Sequence, residues 1–266
     1  MKKSILIVIS LFFFIACKEN KPAKEEVAET VKKEIKLPDY PEDIAAVFEK
    51  HGGIRSWKSM KSLEYEIVRP NGNEKQTIDL ISRNDLIETE KYTIGFDGQD
   101  SWVKQDSAYY NRNPRFYHNL MFYFYAMPFV LGDNGITYEK AEDLVYEGVS
   151  YPGYKISFGT GVGDAPDDNY YIHYDSETKQ MAWLGYTVTF GRGESNDNVH
   201  YIRYNDWKEF NGLVLPNTLT WFQNEGTKLV APRNTVEFTN VKVSDERVDM
   251  TIFDKPEGAV VPGQGE

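Results

Sequence analysis

The segment MAWLGYTVTF, residues 181–190, sends Leu184, Tyr186, Val188 and Phe190 to one side and Trp183, Thr187 and Thr189 to the other. A period of two belongs to a β-strand with one face turned to a core. The same reading extends in both directions along the chain. Toward the carboxyl terminus it predicts strands at Val199–Asp206, Leu213–Phe222 and Asn234–Val243, and toward the amino terminus at Tyr170–Asp175, Tyr154–Phe158 and Leu144–Gly148. An earlier set covers Leu63–Arg69, Lys75–Ser82, Leu86–Ile94 and Ser101–Gln105, with Asn71-Gly72 and Asp97-Gly98 as turns that need positive φ. About eleven short strands without repeated strand–helix alternation predict a mainly β fold: a large curved antiparallel sheet or unclosed barrel.

Two stretches depart from this period. Glu42 and Asp43 suit the positive end of a helix dipole, and Ile44, Val47 and Phe48 share one face, so a helix is expected from about Pro41 to Lys50, stopped by His51-Gly52-Gly53. A short helical piece follows over Ile54–Met60, carrying Trp57. In mid-chain, Asn113-Pro114 reads as a cap with proline at the first helical position. Apolar and aromatic residues then cover nearly every face as far as Leu131, with Pro128 kinking or ending the helix. Such a helix lies in or across the mouth of the curved sheet. Either Phe116, Leu120, Phe124 and Met127 fill the inner face as core, or they leave a cavity for a hydrophobic ligand. The expected lining joins these four to Leu184, Tyr186, Val188 and Trp221. Such a wall must be apolar, because each unpaired polar group would lose its hydrogen bonds to water.

The chain has 266 residues, 30 Lys and Arg against 41 Asp and Glu, and one cysteine. Its net charge of −11 disfavours a nucleic-acid partner, which needs a basic footprint. The lone Cys17 excludes an internal disulfide and any multi-cysteine metal centre. Lys2 and Lys3, the uncharged run Ser4–Ala16 and then Cys17 have the layout of a signal peptide, with an apolar run too short to span a bilayer. Phe14-Ile15-Ala16-Cys17 resembles a bacterial lipobox, which implies removal of residues 1–16, acylation of Cys17 and anchorage to a membrane. Lys18 in place of the Asp that retains such proteins at the inner membrane implies an outer-membrane address, on the periplasmic or the surface side. Residues 17–39 then form a charged tether, since Lys18–Asp39 holds six Lys, six acids and no aromatic residue. Residues 40–266 form one domain.

The segments EKHGGIRSWKSMKSLEYEI (49–67), IGFDGQDSWV (94–103), NDWKEFNGLVLPNTLTWF (205–222) and IFDKPEGA (252–259) resemble secreted lipoproteins with a LolA/LolB-like domain. That resemblance implies an unclosed barrel with helices as its lid, holding acyl chains; no functional residue carries over except Cys17.

Catalytic patterns are weak. Ser150 lacks the glycine spacing of a nucleophile elbow. Gly159, Gly161 and Gly163 precede acidic residues that would repel phosphate. His51, His118, His173 and His200 have no metal-ligand spacing, although His173 and His200 lie on strands that could meet. Asp164, Asp167, Asp168 and Asn169 miss the register of a calcium loop. The expectation is a protein that is not an enzyme and has no cofactor or metal, with a membrane, a lipid or acyl ligand and an envelope protein as partners. Two alternatives stay open: an envelope interaction or glycan-binding module with a filled barrel, and a hydrolase of unknown type.

Overall fold

The computed structural model describes residues 36–158, 168–188 and 198–262. Cys17, the lipobox, nearly all of the tether, the glycine run at 159–163, Asp164, Asp167 and Phe190 lie outside them. Helix α1 (Glu42–Lys50) buries Ile44, Val47 and Phe48, and α2 (Ile54–Ser59) buries Ile54 and Trp57. Between them Gly52 and Gly53 adopt φ of 103° and 86°. A side chain at Gly52 would strike the carbonyl of Gly212, so this crossing requires glycine.

Five strands then run as a meander: β1 (Ser62–Ile67), β2 (Glu74–Asp79), β3 (Asp85–Glu88), β4 (Tyr92–Phe96) and β5 (Ser101–Gln105). A helical segment follows, with α3 (Pro114–Tyr117), α4 (Leu120–Tyr125) and a 3₁₀ turn at Phe129–Gly132. The second set is β6 (Ile136–Tyr146), β7 (Val149–Phe158), β8 (Tyr170–Tyr174), β9 (Met181–Tyr186), β10 (His200–Asn205), the small hairpin β11 (Lys208–Phe210) and β12 (Leu213–Leu215), β13 (Thr218–Glu225) and β14 (Lys228–Ser244). Twelve strands form one sheet in the order β5-β4-β3-β2-β1-β14-β13-β10-β9-β8-β7-β6, antiparallel throughout and unclosed between β5 and β6.

The 17-residue β14 joins the two sets: Lys228–Glu237 pairs with β13, and Phe238–Ser244 pairs with β1. Its neighbours in space come from opposite ends of the domain, which local patterning cannot reveal. The strand count exceeds eleven for local reasons. Leu86–Ile94, expected as one strand, is broken where Thr89 Oγ1 accepts from the N–H groups of Lys91 and Tyr92 at 3.2 and 3.0 Å. Leu213–Phe222 is broken at Pro216-Asn217, and β11 is an added short piece. Strand β6 begins at Ile136 rather than Leu144; as an edge strand carrying Glu139, Lys140, Glu142 and Asp143, it shows little apolar alternation.

Both faces of the sheet carry packed side chains. The main core lies on the inner face under α1, α2 and the mid-chain segment, with Leu63, Ile67, Leu184, Ile202, Leu219 and Phe238 fully enclosed. Trp57 and Phe129 stack with ring centroids 4.9 Å apart. On the outer face Trp183, Tyr151, Tyr201, Leu144 and Leu229 form a second cluster. The carboxyl-terminal segment is fastened by Trp102, whose Nε1 donates to the Phe253 carbonyl at 3.0 Å, and by Arg247, which reaches both Asp79 oxygens at 2.7 and 2.9 Å. Burial alone would raise the Asp79 pKa, but Arg247 and the Ser82 hydroxyl and amide hold it below the usual carboxylate range.

His51 is a structural histidine. The Met181 amide donates to its Nε2 at 3.1 Å, so the proton sits on Nδ1, which donates to the Val214 carbonyl at 3.0 Å. Burial lowers its pKa to about 4. His173, with Nδ1 3.2 Å from the Tyr151 carbonyl, is likewise lowered by burial to about 4. His173 and His200 are not brought together. Strand β9 separates them, His173 lying beside Trp183 and His200 beside Tyr186.

Candidate functional site: a cavity beneath the mid-chain segment

The mid-chain segment is two short helices rather than the single helix expected. Asn113 caps α3, its Oδ1 accepting from the Arg115 amide at 2.9 Å, with Pro114 in the first turn. The helix ends at His118, and Asn119 takes the left-handed conformation, φ 57°. Asparagine tolerates this region better than most residues. The break is held from outside: the Asn119 amide donates to Asp85 Oδ2 at 2.8 Å, and its Nδ2 donates to the Arg83 carbonyl at 2.7 Å. Helix α4 then starts afresh, and its last turn is closed by the buried Tyr204 hydroxyl, which donates to the Phe124 carbonyl at 2.7 Å.

This second helix has two different faces. Phe122 and Tyr125 are fully buried, with Tyr125 packed on Phe238 and Tyr65 at 4.3 and 4.7 Å between centroids. Leu120 and Phe124 instead border a cavity of about 490 Å³, which Met127 joins from just beyond the helix and Phe116 from α3 as a half-exposed rim residue. Tyr186, Val188 and Trp221 form the facing wall. Phe124 lies 4.9 Å from the Tyr186 ring and 5.8 Å from Trp221, and Trp221 Nε1 donates to the Tyr186 hydroxyl at 3.0 Å. That bond satisfies the indole N–H and leaves its ring as apolar wall.

Seven of the eight residues expected in the lining therefore surround one space, and Leu184 does not. Leu184 is 0% exposed and sealed in the main core. The reason lies along the strand: Leu184, Tyr186 and Val188 share a face, but the Leu184 end is packed solid and the Val188 end is open. Strand β13 repeats the pattern, Leu219 being sealed while Trp221 lines the cavity. Core and cavity thus coexist on one face.

The cavity also has a polar margin that the sequence reading missed. Arg83 and Asp133 pair there at 3.0 Å, and the Arg83 guanidinium lies 5.0 Å over the Phe122 ring. One guanidinium nitrogen, Nη1, is buried without a hydrogen-bond partner. His118 packs against Phe96 at 4.4 Å and stands 3.9 Å from Asp85 Oδ1. Asp85 itself is fully buried, and desolvation, only partly opposed by the Asn119 amide, raises its pKa to about 7. Asp168 and Tyr170 border the same margin. Arg83 sits in the turn after β2 with φ of 64°, where nothing in the sequence marks it as a lining residue.

Among the described residues there is no group of three or more His, Cys, Asp or Glu placed to hold a metal ion. No described helix is long and apolar enough to cross a membrane.

No family model matches the chain, and no curated protein matches it. Solved structures similar to it include a DUF1329 family protein from Desulfovibrio piger, 11% identical, covering 80% of this chain and 98% of that one with a TM-score of 0.46. A LolA superfamily protein from Nitrosomonas europaea is 10% identical over 79% of this chain and 96% of its own, TM-score 0.44. A domain from Vibrio parahaemolyticus described as an outer membrane lipoprotein-sorting protein is 8% identical over 73% and 92%, TM-score 0.39.

Proposed function

We propose that this chain is an outer-membrane-anchored lipoprotein, not an enzyme, that holds a lipid, an acylated protein or another lipophilic molecule in the cavity beneath α3 and α4. The observation that carries this reading is the cavity itself: about 490 Å³, walled by Leu120, Phe124, Met127, Val188 and Trp221, on the inner face of an unclosed sheet. Its size falls within the range of roughly 300–1,000 Å³ common to small-molecule sites. Each methylene taken from water into such a wall contributes about 0.8 kcal/mol, so an alkyl chain is the ligand that uses this wall best. The polar margin at Arg83 and His118 suits the end of a chain that carries its polar group. Acylation of Cys17 supplies the anchor in this reading, and its replacement by Ala is expected to release the protein from the membrane fraction.

The test is native mass spectrometry on the protein starting near Lys36, purified from a Gram-negative periplasm without detergent, with solvent extraction of whatever co-purifies. A stoichiometric lipid-sized adduct is expected. Leu120→Glu should remove it, because Leu120 is only half-buried and the new carboxylate would have to be desolvated against the chain. A clean apo mass that stays unchanged on adding phospholipid, fatty acid or acylated peptide would overturn the proposal.

A further inference from the structure

The outer face of the sheet carries a second depression, unrelated to the cavity above. On β10, Ile202 faces the inner core, so its neighbour Arg203 faces outward. The Arg203 guanidinium packs in the corner of two aromatic rings set edge to face, 4.7 Å from the Trp183 centroid and 5.0 Å from that of Tyr151. A guanidinium packed on aromatic rings in this way keeps its edge for hydrogen-bonding partners. Nη1 of Arg203 is nevertheless buried and has no hydrogen-bond partner, and neither has the buried Trp183 Nε1. Two donors in one cluster are thus desolvated with nothing accepting from them, a costly arrangement for the free protein.

Open space adjoins the Arg203 side chain. A pocket of about 340 Å³ is bordered by Arg203 together with Tyr146, Glu147, Asn205, Thr220 and Phe222. Tyr146 and Phe222 meet edge to face, their centroids 5.4 Å apart, and supply an apolar surface. Asn205 and Thr220 supply neutral hydrogen-bonding groups. The exposed Glu147 supplies acceptors for hydroxyl donors, and its charge directs a ligand carboxylate toward Arg203. Carboxylate oxygens match the guanidinium edge, hydroxyls match Asn205, Thr220 and Glu147, and a ring face matches the aromatic surface.

We infer that this outer-face pocket binds a sugar acid: one carboxylate held by Arg203, with the hydroxyls of the same ring held by Glu147, Asn205 and Thr220. The site is independent of the lipophilic cavity and stands or falls separately from it.

Isothermal titration of the full chain with trigalacturonate tests the inference, with maltotriose as the neutral sugar, triglutamate as a carboxylate without a sugar ring, and inorganic phosphate as a small multivalent anion. Saturable binding of trigalacturonate is expected, with each comparison ligand weaker by about tenfold or more, the worth of one charge-assisted hydrogen bond. Arg203→Gln should weaken binding to a similar degree. Because that change also disturbs the stack on Trp183, the near-isosteric Asn205→Asp provides a second handle: it places a negative charge at the pocket wall and should weaken binding several-fold with the fold intact. No saturable binding of trigalacturonate, or equal binding by maltotriose or phosphate, would overturn the inference. So would unchanged affinity in folded Asn205→Asp, and tighter binding of triglutamate would overturn the sugar assignment.

Discussion

Replacing Asp85 by Asn should change how stability depends on pH, and the size of the change can be worked from the structure. Asp85 is 0% exposed, accepts one hydrogen bond from the Asn119 amide at 2.8 Å, and leaves Oδ1 without a hydrogen-bond partner. Its pKa is raised from 3.8 to about 7. A carboxyl whose folded-state pKa lies above its unfolded value holds more protons when folded. Its stabilising contribution is therefore complete below the unfolded value and is lost as pH rises through 7. Lowering the pH from about 7.5 to about 5 should add roughly 2.5 kcal/mol from this one group. His51 and His173 act in the opposite sense. Each has a folded pKa of about 4 against 6.5, so the stability they contribute is complete above 6.5 and is lost as pH falls toward 4. Each should cost roughly 2 kcal/mol over the same pH step. In the native protein Asp85 offsets somewhat more than half of the roughly 4 kcal/mol that the two histidines cost together, and Asp85→Asn removes that offset. Urea unfolding of both proteins at the two pH values measures this directly. The variant should lose about 2–3 kcal/mol more than the native chain on acidification. Equal losses, within about 0.5 kcal/mol, would refute the argument that Asp85 takes up a proton in the folded state near neutrality.

Three other outcomes follow from particular contacts. Tyr204→Phe removes the donor to the Phe124 carbonyl and should cost about 1–3 kcal/mol, seen as a melting temperature lower by several degrees. Gly95→Ala would place a methyl group on the Trp102 indole. It should cost about 1–3 kcal/mol and increase hydrogen exchange at Phe253 and Val260, which Trp102 and Val103 hold in place. Trp221→Phe keeps an aromatic wall but deletes the donor to the Tyr186 hydroxyl; the protein should stay folded, and a fluorescent fatty acid should bind with a changed affinity, whereas an unchanged one would place the chain away from this wall.

The residues differ in how much they reveal by themselves. The turn at Asp97-Gly98 is visible because its determinants are local: Gly98 has φ of 98°, and Asp97 Oδ1 accepts from the amides of Gln99 and Asp100. Helix α1 is visible for the same reason, with its charges and its buried face contained in nine residues. The break at Asn119 is not, because its cause is Asp85, 34 residues earlier, and the surrounding apolar run hides any loss of periodicity. Alternation also gives the face of a residue but not its depth. It places Leu184 and Tyr186 together, yet only packing against the rest of the inner face seals one and leaves the other on the cavity wall. Arg83 and Asp133, which shape the polar margin, come from connections, where patterning says least.

The position of β14 bears on how the domain is assembled. Ser62 in β1 pairs with Ser244 at the other end of the chain, while the meander β1–β5 and the strands β6–β10 each pair with neighbours close in sequence. The chain can form two local half-sheets as it emerges, but the seam between them waits for the last long strand. Until then β1 and β13 each present an unpaired edge, the state in which strands join the wrong partner. The pairing with the greatest loop-closure cost is thus also the one that completes the shared core, so a chain ending before Lys228 should yield two half-sheets open to aggregation rather than a smaller folded domain.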